Sequence, residues 1–213
     1  MRIVAISDTH TKHNQFDIPD GDVLIHAGDF TSRGKQKEIR RFNNFLGTLP
    51  HKHKVVIAGN HDFALENEPE LAEPMLTNCT YLRDSSIVIE GVKIYGSPWQ
   101  PEFFNWAFNL PRGEPLKEKW EQIPDDTDIL ITHGPPYGIL DKTARGEHVG
   151  CEELIKIVLK KKPAYHIFGH IHEAAGEIKQ DGIHFINASL LNLQYKPAFA
   201  PTVFDIQTQT EVI

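Results

Sequence analysis

Cysteine is scarce: Cys79 and Cys151 are the only two among 213 residues. So few thiols rule out a disulfide framework and a thiolate zinc cluster, and both read as free, core-type side chains in a reducing compartment. Long apolar runs are missing as well. The opening run Ile3-Val4-Ala5-Ile6 meets an acid at Asp8, too soon for the core of a signal peptide and far too soon for a spanning helix. The expectation is a cytoplasmic protein with no membrane partner. Excess positive charge is also absent, since 22 Lys+Arg against 29 Asp+Glu leave a net charge of −7. That balance argues against tracking a nucleic-acid backbone by bulk electrostatics, so no stable nucleic-acid complex is expected. A local cationic site stays open, because bound metal ions add charge that a residue count omits. Pro and Gly are spread along the chain, and no repeat or low-complexity run marks a linker. With 40% hydrophobic residues, the chain reads as a single domain over residues 1–213.

What the sequence has in plenty is histidine, twelve in all. Several look incidental. His51 and His53 sit among lysines after Pro50, His13 lies in a polar stretch, and His26, inside an apolar run, reads as a satisfied structural residue. The informative histidines stand at the ends of strand-like runs.

Those runs are short, β-branched and almost continuously apolar, as in strands buried on both faces. Ile3–Ile6 runs into Asp8, Val23–Ala27 into Gly28-Asp29, and Val55–Ala58 into Gly59-Asn60-His61-Asp62. Ile129–Thr132 runs into His133-Gly134, and Tyr165–Phe168 into Gly169-His170-Ile171-His172. Helical periodicity falls between them. Ile39, Phe42, Asn43, Phe45 and Leu46 put a stripe on a helix from about Lys35 to Leu49; Leu154, Ile155, Val158 and Leu159 mark another from near Gly150 to Pro163. Ile87 to Tyr95 predicts a hairpin around Glu90-Gly91, and Ile183–Ile186 and Val203–Ile206 predict late strands. The pattern is that of a layered α/β fold.

Each of the polar endings lies on the carboxyl side of its strand. In open α/β sheets the loops on that side converge on one crevice, where ligands bind. Core packing has no use for a recurrent metal-capable ending in one structural place. Carboxylates, an amide oxygen and imidazoles suit manganese, iron, nickel or zinc, and the lack of thiolates argues against a structural zinc site. Glycine before Asp29, Asn60 and His170 allows sharp turns and close backbone approach.

The set Asp8-x-His10, Gly28-Asp29, Gly59-Asn60-His61-Asp62, His133 and Gly169-His170-Ile171-His172 resembles the calcineurin-like metallophosphoesterase superfamily. More closely, the chain is similar to the metallophosphoesterase-domain-containing proteins of fetal-brain type and their microbial relatives. Tyr95-Gly96-Ser97-Pro98-Trp99, Phe108 to Gly113, Thr132 to Pro136 and Ile186-Asn187-Ala188-Ser189 extend the likeness over nearly the whole chain. The resemblance implies a four-layer α/β sandwich, two packed mixed β-sheets flanked by helices. It also implies two divalent transition-metal ions, manganese first, with iron, nickel or zinc as alternatives. By position Asp8, His10 and His172 hold one ion, Asn60, His133 and His170 the other, and Asp29 bridges them. Some members of that family lack histidine at the position of His170; this chain keeps it. A carboxylate between two ions keeps them roughly 3.5–4 Å apart, close enough to share a hydroxide.

The activity implied is phosphoester hydrolysis, with that hydroxide attacking phosphorus in line with the leaving alkoxide. Asn60, His61 and His170 are the expected substrate-binding residues. His61 is the expected general acid, with Asp62 orienting its ring; the competing readings of His61 are a further ligand or a loop residue without a role. Two divalent ions less the carboxylates of Asp8 and Asp29 leave a site of about +2, which hydroxide and a phosphodiester monoanion neutralise. A monoester dianion needs a basic helper, for which Arg112 and Arg145 are the candidates. The leading substrate is therefore a small phosphodiester, a cyclic nucleotide among the options. A phosphomonoesterase or pyrophosphohydrolase with the same metal core is the alternative, and a non-catalytic scaffold ranks behind both. Trp99, Trp106 and Trp120 all fall between Tyr95 and Trp120, with Phe103, Phe104 and Phe108. They form either an aromatic wall that stacks a nucleobase or the ordinary packing of a cap segment.

Overall fold

The apolar runs become strands in the computed structural model, which describes residues 1–207; the expected domain over 1–213 runs past them at 208–213. In chain order β1 (Arg2–Ile6), β2 (Val23–His26), β3 (His53–Val56) and β4 (Thr80–Tyr81) are parallel neighbours in one sheet. Helix α1 (Gln36–Thr48) links β2 to β3, and α2 (Phe63–Asn67) and α3 (Pro69–Ala72) link β3 to β4. The second sheet begins with the hairpin β5 (Ser85–Ile89) and β6 (Val92–Ser97), turned by Glu90 and Gly91 at φ of 50° and 81°. A two-stranded ribbon, β7 (Gln100–Pro101) and β8 (Asn109–Leu110), and α4 (Glu114–Glu121) follow. Then come β9 (Ile129–Thr132), α5 (Glu152–Lys161), β10 (Tyr165–Phe168), β11 (Gly176–Gln180) and β12 (Ile183–Asn187). Last, β13 (Thr202–Asp205) returns to lie antiparallel to β1. The sheet orders are β13-β1-β2-β3-β4 and β11-β12-β10-β9-β6-β5.

Alternation within each strand explains why the runs are apolar throughout. Ile3 and Ala5 of β1, with Val23, Ile25 and Val55, face Ile94, Ile129, Ile131, Ile167 and Ile186 of the other sheet. The intervening residues Val4, Ile6, Leu24 and Val56 face Ile39, Phe42, Phe45 and Leu46 of α1. On the far side Tyr95, Leu130, Phe168 and Phe185 meet Leu116 and Trp120 of α4 and Leu154, Ile157 and Val158 of α5. Side chains of successive strand residues point to opposite faces, so neither face of central strands such as β2 and β9 meets water, while the edge strand β11 is exposed along its length. The result is the expected four-layer sandwich, helix on sheet on sheet on helix.

The helix boundaries fall where their caps put them. Glu38 reaches back to the Lys35 N–H at 3.1 Å to start α1. Helix α5 ends on Lys162 at φ 52°, and Pro163 follows. Two of the incidental histidines need correction. His13, though it lies in a polar stretch, is buried, its ring 5.6 Å from Phe42 and 4.7 Å from Phe45, and His51 is buried too.

Register places the strand ends together. Ile6 pairs with His26 and His26 with Val56, so Asp8, Asp29 and Asn60 leave the first sheet at one edge. Ile131 pairs with Ile167, so His133 and His170 leave the second sheet side by side. A parallel bridge between Ser7 and Ser189 joins the two sheets at that edge.

Candidate metal centre

Beyond β1, β2 and β10 the backbone turns into the left-handed region: φ is 54° at Asp8, 39° at His10, 57° at Asp29 and 69° at His170. Such conformations cost a side-chain-bearing residue on the order of 1 kcal/mol or more and persist where the surroundings impose them. Here they swing each side chain towards the crevice between the sheets. Gly169 makes the approach possible, since a Cβ there would collide with the Asp8 carboxylate, and at Gly59 one would collide with that of Asp29.

The ligand-type atoms converge. Those of Asp8, His10 and His172 lie within 4.8 Å of one another, as do those of Asp8, Asp29 and His133, and those of His10, Asp29 and His61. His172 Nε2 is 3.3 Å from Asp8 Oδ1. Asp29 Oδ2 stands between two flanks, 3.6 Å from His10 Nε2 on one and 3.4 Å from His133 Nε2 on the other. Asn60 Oδ1 lies 2.9 Å from His133 Nε2, and the His170 ring 5.1 Å from that of His133. The structure thus brings Asp8, His10, Asp29, Asn60, His133, His170 and His172 to one crevice.

Their remaining atoms are tied back in ways that fix what each presents. His133 Nδ1 is 2.9 Å from the Ala27 carbonyl and His172 Nδ1 3.1 Å from that of Asn192. Each Nδ1 faces its carbonyl, so each Nε2 is turned inward to the crevice. Asp8 Oδ2 accepts the Ser189 hydroxyl at 2.8 Å and the His170 N–H at 3.0 Å. Asp8 Oδ1 and both ring nitrogens of His10, all buried, find no partner among the described residues. Buried polar atoms left without partners are costly; lone pairs of a carboxylate and imidazoles aimed at one point fit a divalent cation.

The electrostatics agree. Burial works to raise the Asp8 carboxyl, but His172 beside it holds it well below the usual carboxylate range. Burial opposes Asp29 likewise, and His133, His10 and His61 outweigh it in the same direction. Burial lowers His10 to about 4 and His170 to about 3, so both are neutral at pH 7. Burial also works against charge on His133, yet Asp29 raises it to about 9.

Residues 1–174 match the calcineurin-like phosphoesterase family. The chain belongs to that family. It is 45% identical over 232 residues to human metallophosphoesterase domain-containing protein 1, covering 97% of this chain and 71% of that protein. A UPF0046 protein of Caenorhabditis elegans is 41% identical over 224 residues, covering 99% of this chain and 77% of its own. One solved crystal structure shares the fold at a TM-score of 0.70 with 16% identity, covering 97% of this chain and 99% of its own. As a calcineurin-like phosphoesterase the chain is a metal-binding hydrolase that acts on phosphoesters. No helix among the described residues is long and apolar enough to cross a membrane.

Around this family site lies a cleft of about 310 Å³, lined among others by His61, Phe103, Trp106, Arg112 and Tyr195. His61 Nδ1 is 2.9 Å from the Ser32 carbonyl and its ring 4.2 Å from Trp106. The expectation that Asp62 orients this ring is corrected. The Asp62 carboxylate accepts from the N–H groups of Asp29 (2.9 Å), Thr31 (2.9 Å) and Gly59 (2.8 Å) and from the Thr31 hydroxyl (2.8 Å). Those donors saturate it, so it pins the Asp29 loop to the Asn60 loop and Ser32 holds His61. The aromatic stretch divides: Phe103 and Trp106 line the cleft, Phe108 and Trp120 are core, and Phe104 is exposed. Trp99 packs at 5.6 Å on Phe108. Ser189, Asn192 and Tyr195 were not expected in the site; no period or spacing marks them, and Ser189 appeared only as part of a family-like motif.

Proposed function

We propose that the chain is a dinuclear phosphodiesterase. Asp8, His10 and His172 would hold one ion, Asn60, His133 and His170 the other, and Asp29 both, with manganese as the metal we assign first. When bound, the ions supply positive charge that acidifies water and offsets the charge of the phosphoryl group.

The observation that favours diesters is the state of Arg112. Its guanidinium donates to the Gly150 and Val149 carbonyls, each at 2.8 Å, and to the Glu152 carboxylate. Glu102 adds a negative group to the lining, and Arg145 lies outside it. A monoester dianion therefore meets no free lysine or arginine among the described residues of the cleft, and a diester monoanion needs none. His61 serves the leaving group: its Nδ1 proton goes to Ser32, and its Nε2 carries the proton that the departing alkoxide takes. Trp106 keeps the ring in that attitude. Asn60, His61 and His170 face the bound ester.

The test compares kcat/KM for bis-p-nitrophenyl phosphate and p-nitrophenyl phosphate with manganese. A higher value for the diester is expected; a clear preference for the monoester would reverse the assignment in favour of a monoesterase.

A further inference from the structure

Tyr195 sits on a turn that no sequence pattern marked. Its ring stands edge-on to His10 at 4.8 Å and to His172 at 5.3 Å, and 6.3 Å from His61. It lines the same cleft as Asn60 and His170 and is 41% exposed.

The backbone at Tyr195 has a φ of 55°, a left-handed conformation that a tyrosine does not adopt unless its surroundings impose it. They do so several times over. Its N–H donates to the Asn192 carbonyl at 2.8 Å, the Lys12 ammonium donates to its own carbonyl, and Asn192 Oδ1 accepts the N–H of Lys196 at 3.0 Å. The same Asn192 carbonyl receives His172 Nδ1, so one turn sets both the histidine and the tyrosine. Among the described residues the hydrogen bonds of Tyr195 are those of its backbone; the phenol hydroxyl takes part in none. Strain imposed by several contacts, on an aromatic whose polar end is left spare, is the pattern of a group held ready for a ligand.

We propose that Tyr195 is a catalytic residue of this site, its phenol O–H donating a hydrogen bond to a phosphoryl oxygen of the bound ester. This rests on the phosphoesterase reading above. A hydrogen bond from a neutral hydroxyl to an anionic oxygen is of the stronger, charge-assisted kind. It supplies, without a further positive charge, the contact that Arg112 cannot make while Glu152 holds it.

Tyr195→Phe keeps the ring and removes only the hydroxyl. Inorganic phosphate is expected to bind the manganese-loaded variant about tenfold more weakly by calorimetry, and kcat/KM on bis-p-nitrophenyl phosphate to fall roughly 10- to 100-fold. Manganese affinity without phosphate and the melting temperature should stay at wild-type values. Unchanged phosphate affinity and turnover would overturn the proposal. So would losses confined to Tyr195→Leu and accompanied by weaker manganese binding, which is the signature of packing alone. Phosphate binding weakened as expected, in a protein that hydrolyses no phosphoester, would uphold Tyr195 as the donor and sink the phosphoesterase reading instead.

Discussion

Ser189 donates its hydroxyl to Oδ2 of Asp8 at 2.8 Å, and so decides which oxygen of that carboxylate is left for an ion. The His170 N–H fills the rest of Oδ2. Oδ1 remains, buried and unpartnered, beside His172 Nε2. Asn187 holds the far side of the arrangement, its Oδ1 accepting the Ser189 N–H and its Nδ2 donating to the Ile171 carbonyl between the two histidines.

Removing that hydroxyl should loosen the metal without touching a ligand. Ser189→Ala is expected to weaken manganese binding by roughly 10- to 100-fold, the usual cost of losing an outer partner of a ligand. Titration of the metal-free protein checks it; wild-type affinity would mean that the carboxylate is oriented by His170 alone.

Asp29 and His172 should differ in kind. Asp29 Oδ2 faces both flanks of the crevice, while His172 stands on one flank with Asp8 and His10. Wild-type protein should carry close to two ions per chain, His172→Ala close to one, and Asp29→Ala neither at comparable affinity. Elemental analysis decides, and an Asp29→Ala protein with a full complement would rule out a bridging role.

His61→Ala separates proton transfer from metal binding. With an alkyl leaving group kcat should drop roughly 10²–10⁴-fold, and with p-nitrophenolate much less, because a stable anion needs little protonation. Metal content should stay at the wild-type level. Because His61 shares a cluster with His10 and Asp29, loss of an ion on the same preparation would make it a ligand instead.

Asp62→Ala should act on stability first. It strands the N–H groups of Asp29, Thr31 and Gly59, all buried, at a cost of roughly 3 kcal/mol or more. Thermal melts should show a large fall. Full stability with lost turnover would restore a chemical role.

Acid should unfold the metal-free protein from an unusually high pH. Burial lowers His166 to about 3, and its Nδ1 has no partner. The unfolded chain takes up a proton below about 6.5 while the folded one does not. Stability contributed by the neutral ring is therefore complete above 6.5 and is lost as pH falls towards the folded value, by about 1.4 kcal/mol per pH unit. Urea melts in a chelator between pH 7 and 4 should show this slope, shallower by that amount in His166→Phe; parallel slopes would mean that the ring is protonated in the fold.

The strands, both long helices and the hairpin were legible because each rests on a local apolar run or a local periodicity. So was the polar ending of each central strand, since an acid or histidine directly after a doubly buried run has no place in the core. That Ile3 and Ala5 face the other sheet while Val4 and Ile6 face α1 was not legible in an unbroken apolar run; the four layers were expected from the family resemblance. Pairings among side chains were not legible either. That Asp62 holds backbone amides instead of His61, that Glu152 takes Arg112, that Phe103 and Trp106 turn to the cleft while Phe108 and Trp120 turn to the core, and that Ser189 and Tyr195 reach the centre at all depend on how two sheets and their loops are set against each other. Residues 1 to 10 and 186 to 196 meet at one point only because the chain folds back through both sheets, and no local period carries that information. Sequence therefore determined which residues can bind metal, and the tertiary structure decided which atoms of them are left free to do it.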